Sequence, residues 1–279
     1  LKVLGETGME HPDAIITGTS LGSLDYTERF LDSIVDNGEE ALSPTWFMQS
    51  THNTVGSALA IYTKTHGYNT TYSHGNISFD LTLQDAWMQM QLGKISTALV
   101  GGHDEMTESY FSLLQKVGYV GVSGMVPCGE VAMSMLLNTD KTADSLCELA
   151  GLSISFRPSH EQLQKQLDKM LQEAGMTMAD LSAVMTGVNG NPANDRLYHE
   201  TIETFFPEIA LQHYKHLFGE NYTVSGLGLY AAAHLLHKNE VPAFMYDTES
   251  PCQCDNLKSI LLLNHTSEGY CSLILLKRI

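Results

Sequence analysis

A chain of 279 residues is long enough for a buried core in one large domain or two small ones. An apolar share of 43% against a charged share of 17% excludes disorder, and 32 acids against 15 bases give a net charge of −17 that repels phosphate backbones, so nucleic acid is not an expected partner. No run of roughly 18 apolar residues occurs, so no membrane span is expected.

The chain starts at Leu1 without a basic-then-apolar signal segment, and a truncated start is the expectation. Cys128, Cys147, Cys252, Cys254 and Cys271 are an odd set without framework spacing, which points to reduced thiols and a cytoplasmic protein. The Asn-x-Ser/Thr triplets at Asn69, Asn76, Asn221 and Asn264 are read as chance in that setting.

In chain order, Ala14-Ile15-Ile16-Thr17 reads as a buried strand closed by the turn Gly18-Thr19-Ser20-Leu21-Gly22. Helices follow over 24–35 and 51–64, the second with small residues that permit close packing. Over 79–92, Phe79, Leu83, Ala86, Trp87 and Met90 recur at helical spacing, and Gly93 ends that helix. Residues 96–100 read as a buried strand stopped by Gly101-Gly102.

The second half repeats the alternation. A strand over 146–156 precedes a helix capped by Ser159, with Gln162 completing a capping box and Leu163, Leu167, Met170 and Leu171 forming one stripe. A strand over 181–187, helices over 194–205 and 224–237, and a hairpin from strands 259–263 and 271–276 complete the chain. Such alternation implies an α/β protein with covered sheet faces. The polar run 138–144 is the nearest thing to a linker, which divides the chain into halves 1–143 and 144–279.

Several segments together carry a family resemblance. Ser73-His74-Gly75-Asn76-Ile77-Ser78, the helix to Gly93 and then Thr97-Ala98-Leu99-Val100-Gly101-Gly102 resemble the nucleophile elbow, buried helix and following strand of the β-ketoacyl synthases. Gly129-Glu130-Val131-Ala132 resembles that family's Gly-Glu-Gly-Ala segment, with Val131 at the second glycine. Asn189-Gly190-Asn191-Pro192-Ala193-Asn194-Asp195 resembles its His-Gly-Thr loop, and Lys215-His216-Leu217-Phe218-Gly219-Glu220 its Lys-x-x-x-Gly-His segment. Gly269 falls in the C-terminal glycine turn before the last strand. The resemblance implies a thiolase-like α/β fold, two similar halves in five α/β/α/β/α layers, and a dimer.

A ketosynthase loads its acyl chain on a Cys thiolate at a helix N-terminus, then uses two His residues for decarboxylation and for the thioester oxygen. On the matched positions Asn76 replaces the nucleophile, Asn189 the first His and Glu220 the second; only Lys215 agrees. Asn forms no acyl-enzyme, and a carboxylate has the wrong sign beside a developing enolate. No Cys precedes Cys128, so a register slip does not restore the thiol. Lys215 and Glu220, five residues apart across Gly219, are expected to pair, and Asn76 and Asn189 to hydrogen-bond across a vestigial pocket.

The resemblance is therefore to the non-catalytic, chain-length-factor type of subunit, closest to those of aryl-polyene and dialkylresorcinol (flexirubin-type) pathways. It implies an active ketosynthase as heterodimer partner, or a homodimer, together with an acyl carrier protein. An active synthase with displaced catalytic residues is the alternative within the family.

Outside it, Gly18-x-Ser20-x-Gly22 has the strand–helix context of a hydrolase elbow, with Asp195, His199, His213 and His234 as partners for Ser20. The plain reading of that turn is a glycine-permitted bend. Gly226-x-Gly228 lacks a preceding buried strand and reads as helix packing rather than dinucleotide binding. Cys252-x-Cys254 has no second pair at zinc spacing, so neither a metal nor a cofactor is expected. The uncharged, β-prone stretch Tyr68-Asn69-Thr70-Thr71-Tyr72-Ser73 is the expected dimer edge.

Overall fold

A short helix, α1 (Lys2–Thr7), ends at Gly8 in the left-handed region and leads to β1 (Ala14–Gly18), whose five residues are all buried. Continuous apolar burial is the mark of a strand covered on both faces. The structure is a computed structural model that describes residues 1–248, 250–254 and 256–279.

Two units emerge: Leu1–Val122 with Cys128–Asp140 and Asn221–Val224, and Ser123–Pro127 with Lys141–Glu220 and Ser225–Ile279. The chain crosses between them several times, where the polar run 138–144 suggested one cut.

In unit 1, β1 is followed by α2 (Leu24–Asn37), α3 (Pro44–Ser50) and α4 (Thr54–Thr63). Then come β2 (Tyr68–Tyr72), a 3-10 turn at Gly75–Ile77, α5 (Ser78–Gln91), β3 (Thr97–Asp104), α6 (Glu108–Lys116) and β4 (Val131–Asn138). The sheet order is β2-β1-β3-β4, with β1 parallel to β2 and β3, and β4 antiparallel to β3.

The expected stop at Gly101-Gly102 is corrected: both glycines lie inside β3. A Cβ on Gly101 would meet the Met133 carbonyl at 2.8 Å and one on Gly102 would meet Thr223 at 2.9 Å, so here glycine marks close backbone approach rather than a strand end. The helix expected over 51–64 is α4, and α3, a separate helix before it, starts at Ser43 and Pro44, where the Ser43 hydroxyl accepts from Trp46 N–H.

In unit 2, β5 (Glu148–Phe156) leads to α7 (His160–Glu173), whose Ser159–Gln162 capping box and buried Leu163, Leu167, Met170 and Leu171 match the sequence reading. β6 (Ala183–Thr186), α8 (Pro192–Phe205), β7 (Ala210–His213), α9 (Lys215–Phe218) and α10 (Ser225–Lys238) follow. The expected hairpin closes the chain as β8 (Ser259–His265) and β9 (Tyr270–Lys277), and the sheet order is β5-β9-β8-β6-β7.

Gly18 fixes how α5 meets the sheet. A Cβ there would lie 2.7 Å from the Ser78 carbonyl oxygen and 2.9 Å from Phe79 N, both backbone atoms at the start of α5. Neither can turn aside, so Gly18→Ala should destabilise the protein by about 2 kcal/mol or more, as overpacking does. Thermal unfolding checks this, and an unchanged midpoint would show that the β1–α5 contact is slack.

Candidate functional site

Asn76 lies where the sequence reading puts it, in a tight turn opening a buried helix. Gly75 has φ +56, Asn76 sits half-buried in the 3-10 turn, and α5 begins at Ser78. The Ser78 hydroxyl donates to the Gly75 carbonyl and accepts from His74 N–H, which fastens the turn. Phe79, Leu83 and Ala86 are buried as expected, whereas Trp87 and Met90 are half-buried. Asp80 and Asp85 on the same helix are buried too, which the apolar stripe did not reveal. Asp85 meets Tyr72 of β2, and burial with that carboxylate holds the Tyr72 phenol up at about 12.

Unit 2 brings three of the predicted residues together. Lys215 Nζ donates to Glu220 Oε1 at 3.0 Å and to Oε2 at 2.8 Å. Asn189 Nδ2 donates to Glu220 Oε2 at 2.6 Å. The Lys215–Glu220 pair suggested by the sequence is thus present, with side-chain exposures of 9% and 22%.

Its supports are local. Asp195, buried in the first turn of α8, accepts from the Asn189 and Gly190 N–H groups at 3.0 and 2.8 Å. Asn191 caps α8 through Ala193 and Asn194 N–H, with Pro192 at the first helical position. Glu220 N–H donates to the Pro127 carbonyl, and Val126 N–H to the Asn189 carbonyl. Gly187, just after β6, lets Lys215 pass: a Cβ there would meet Tyr198 Oη at 2.6 Å and Lys215 Cε at 3.0 Å.

The sequence reading did not single out Gly187 or Tyr198. Their signal is the stretch Ala183-Val184-Met185-Thr186-Gly187, which repeats the pattern Ala14-Ile15-Ile16-Thr17-Gly18.

The cluster spends its donors internally. Two hydrogen bonds from the Lys215 ammonium and one from the Asn189 amide converge on one carboxylate. No imidazole among the described residues hydrogen-bonds Asn189, Lys215 or Glu220. His213 and His216 instead face each other, ring centroids 4.4 Å apart, and His213 lies 3.6 Å from Asp247. Burial, with His213 nearby, lowers the His216 pKa.

Ser20 lies in a turn held by a buried carboxylate. Asp104 Oδ1 accepts from the Thr19 hydroxyl and from the Ser20 and Leu21 N–H groups, and Oδ2 accepts from the Thr223 hydroxyl. His52 reaches the Ser20 carbonyl, not its hydroxyl. A hydrolase elbow strains its serine. Among the described residues the non-glycine positions with positive φ are Ala41, Lys64, Arg157 and Asn239. The partners proposed for Ser20, namely Asp195, His199, His213 and His234, all belong to unit 2.

Gly228 is a packing residue: a Cβ there would lie 2.8 Å from the Tyr214 ring. Cys252 is exposed, and Cys254 lies beside Tyr246, whose hydroxyl accepts from Cys254 N–H. No described helix is long and apolar enough to cross a membrane.

Solved structures resemble this chain in fold. A chain of the ketosynthase ApeO in complex with its chain length factor ApeC, from Xenorhabdus doucetiae, overlays with a TM-score of 0.79 at 17% identity, over 100% of this chain and 77% of the other. The ishigamide ketosynthase/chain length factor gives 0.76 at 17% identity, over 98% and 77%. A β-ketoacyl synthase from Burkholderia phymatum STM815 gives 0.75 at 14% identity, over 96% and 76%. These are thiolase-like α/β folds, as expected. A comparison with curated proteins finds no match. The family model described as β-ketoacyl synthase, N-terminal domain, matches residues 11–189, well over half of the sequence and a span that includes β1, Asn76 and Asn189, and the chain belongs to the β-ketoacyl synthase family.

Proposed function

We propose that this chain is a ketosynthase-like subunit that holds no acyl group itself and pairs with an active β-ketoacyl-ACP synthase in polyketide- or fatty-acid-type chain elongation, as a chain length factor does. The observation that carries the reading is Asn76 at the turn into α5, the position that the sequence resemblance matches to the family's nucleophile. An amide there has no ionisable group to attack a thioester. The closed Asn189–Glu220–Lys215 cluster supports the same reading, because its donors serve a carboxylate rather than a developing enolate. The proposed setting is a cytoplasmic aryl-polyene or dialkylresorcinol type of pathway with an acyl carrier protein.

β2 supplies the proposed interface. It is a sheet edge, uncharged from Tyr68 to Tyr72. It packs against α4, whose Ile61 and Tyr62 are 80% and 72% exposed. An open edge beside exposed apolar side chains invites strand pairing with another subunit. A less acidic partner is preferred to a second copy, because each copy carries −17.

The test is intact-mass measurement after incubation with acyl-loaded carrier protein, alone and co-expressed with an active ketosynthase. The expected result is an unchanged mass for this chain in both, with the acyl group on the partner's thiol and the two subunits co-purifying. An adduct on Ser20, Ser73 or Ser78, or failure to co-purify with any ketosynthase of its own gene cluster, overturns the proposal. Asn76→Cys should accept an acyl group yet elongate little, since Asn189 and Glu220 provide no imidazole.

A further inference from the structure

Two histidines flank Lys215 in the sequence, His213 at the end of β7 and His216 in α9. Their rings stand 4.4 Å apart, steeply inclined at 73°. Both face one segment, residues 243–247, which runs beside β7. A 3-10 turn at Ala243–Met245 starts it, and Met245 is buried. Tyr246 then forms a single antiparallel bridge with Gln212, and Asp247 N–H donates to the Leu211 carbonyl at 3.0 Å. β7 is the last strand of its sheet, so this segment covers that edge.

Side chains tie the same segment to the turn that carries Lys215. His213 Nδ1 lies 3.6 Å from Asp247 Oδ2, with side-chain exposures of 23% and 20%. That nitrogen is buried and takes no hydrogen bond among the described residues. The His216 ring faces the Phe244 carbonyl, a contact that favours its protonated form. Within the turn, Lys215 Nζ donates to Glu220, and Gly219 N–H donates to the Lys215 carbonyl at 2.8 Å. Residues 243–247 thus brace the turn through the neighbours of Lys215, while Lys215 itself is held by Glu220.

Electrostatics suits this brace to one proton. The 3.6 Å between imidazole and carboxylate is too long for a hydrogen bond. A proton on His213 Nδ1 makes that nitrogen a cationic donor facing the carboxylate, and charge-assisted hydrogen bonds are shorter and stronger than neutral ones. A second proton, on His216, sets two like charges on rings in contact. Burial and the nearby His213 already lower the His216 pKa. The other charged or titratable groups on these elements are occupied: the Lys215 ammonium by Glu220, and the Tyr246 hydroxyl by Cys254 N–H. Thr186, the partner of His213 on β6, carries no charge.

We infer that His213, His216 and Asp247 form a proton-operated latch, tightest with a single proton on the two histidines, that holds the Lys215 turn against residues 243–247. With no proton, His213 and Asp247 stay too far apart to bond. With one, Asp247 is drawn onto Nδ1 and the segment closes on β7. With two, the rings repel and the segment loosens. Sites coupled in this way titrate as a pair. The inference concerns this chain alone and stands or falls apart from its pairing with a synthase.

The test is an NMR titration of the His213 and His216 rings from about pH 8 to about pH 5, with hydrogen exchange of the Asp247 and Gly219 amides at each step. Protection is corrected for the intrinsic pH dependence of exchange and taken relative to the amides of α7 in the same unit. The two rings should share two macroscopic steps. Protection of the Asp247 amide should pass through a maximum between them, about fivefold above its value at about pH 8, as befits a partly exposed ion pair. Gly219 should follow the same profile. Asp247→Asn keeps the backbone hydrogen bond to Leu211 and should flatten the maximum, whereas His216→Asn should keep the rise and remove the fall on the acid side. Independent titration of the rings, or protection indifferent to pH, overturns the inference. So does a maximum that survives in Asp247→Asn, or one at Asp247 that Gly219 does not share.

Discussion

Between pH 6.5 and 4 the protein should lose about 3 kcal/mol of stability through one side chain, His265. Burial pushes the His265 pKa from its ordinary 6.5 down to about 4. The imidazole sits at the end of β8, 5.1 Å from the Tyr198 ring and 3.2 Å from the Thr201 hydroxyl. Tyr198 also holds the His265 backbone, accepting from its N–H and donating to its carbonyl.

The sign follows from proton counting. The unfolded chain binds this proton at pH 6.5 and the folded chain only near pH 4, so between those values the unfolded state holds more protons and stability falls as pH falls. The contribution is whole above pH 6.5, and this group adds no further slope below about 4. His103, His216 and His234 are lowered by burial as well and act in the same direction. Asp13 and Asp180, lowered by backbone hydrogen bonds from Ser96 and Thr177, lose their contributions at more acid pH and belong to a separate window. Urea unfolding at pH 7 and at pH 4 should therefore differ by about 3 kcal/mol less in His265→Gln than in the parent. Equal differences in the two proteins would show that His265 is solvated in the folded state.

Much of this architecture is legible in the residues, because burial leaves a periodic trace. α7 buries one stripe, the apolar positions Phe79, Leu83 and Ala86 of α5 are buried at helical spacing, and the capping box of α7 is a local interaction within four residues. Where the trace fails, a longer-range contact is responsible. β7 has four residues, too few to show a period. β4 is apolar from Val131 to Leu137 except at Ser134, with Leu136 in a cluster with Leu4, Ile15 and Leu99, and so nearly apolar a run hardly shows a strand's alternation. The glycines inside β3 look like punctuation until Met133 and Thr223 are seen against them.

The candidate site divides in the same way. Asn189, Lys215 and Glu220 are found by family spacing and do meet. Gly187 and Tyr198 are invisible to that spacing, since their task is to shape the passage for Lys215. The acids of α5 are hidden for a further reason: a helix with Asp80, Thr82 and Asp85 buried beside Phe79 and Leu83 does not divide into an apolar and a polar face.

Lys215→Met should destabilise unit 2 by about 3 kcal/mol, the low end of the cost of stranding one member of a buried ion pair. The Lys215 side chain is 9% exposed and that of Glu220 is 22% exposed, so Glu220 retains some water and the Asn189 amide after the ammonium is gone. Glu220→Gln should also destabilise, because Lys215 is the more buried partner and would lose its counter-charge. Removing both charges in Lys215→Met/Glu220→Gln leaves no stranded ion. The double variant should therefore cost less than the sum of the singles, by about 2 kcal/mol.

That shortfall distinguishes a structural pair from two independent residues. A cycle that closes additively, with small single costs, means the pair contributes little to the fold. If Lys215→Met then also abolishes chain elongation by the proposed heterodimer while its unfolding midpoint holds, the lysine serves substrate or partner. A large coupling in the isolated chain, together with elongation by the heterodimer that falls only as far as the subunit's folded fraction falls, is the outcome expected of a site whose ionisable groups have been turned inward to hold a loop.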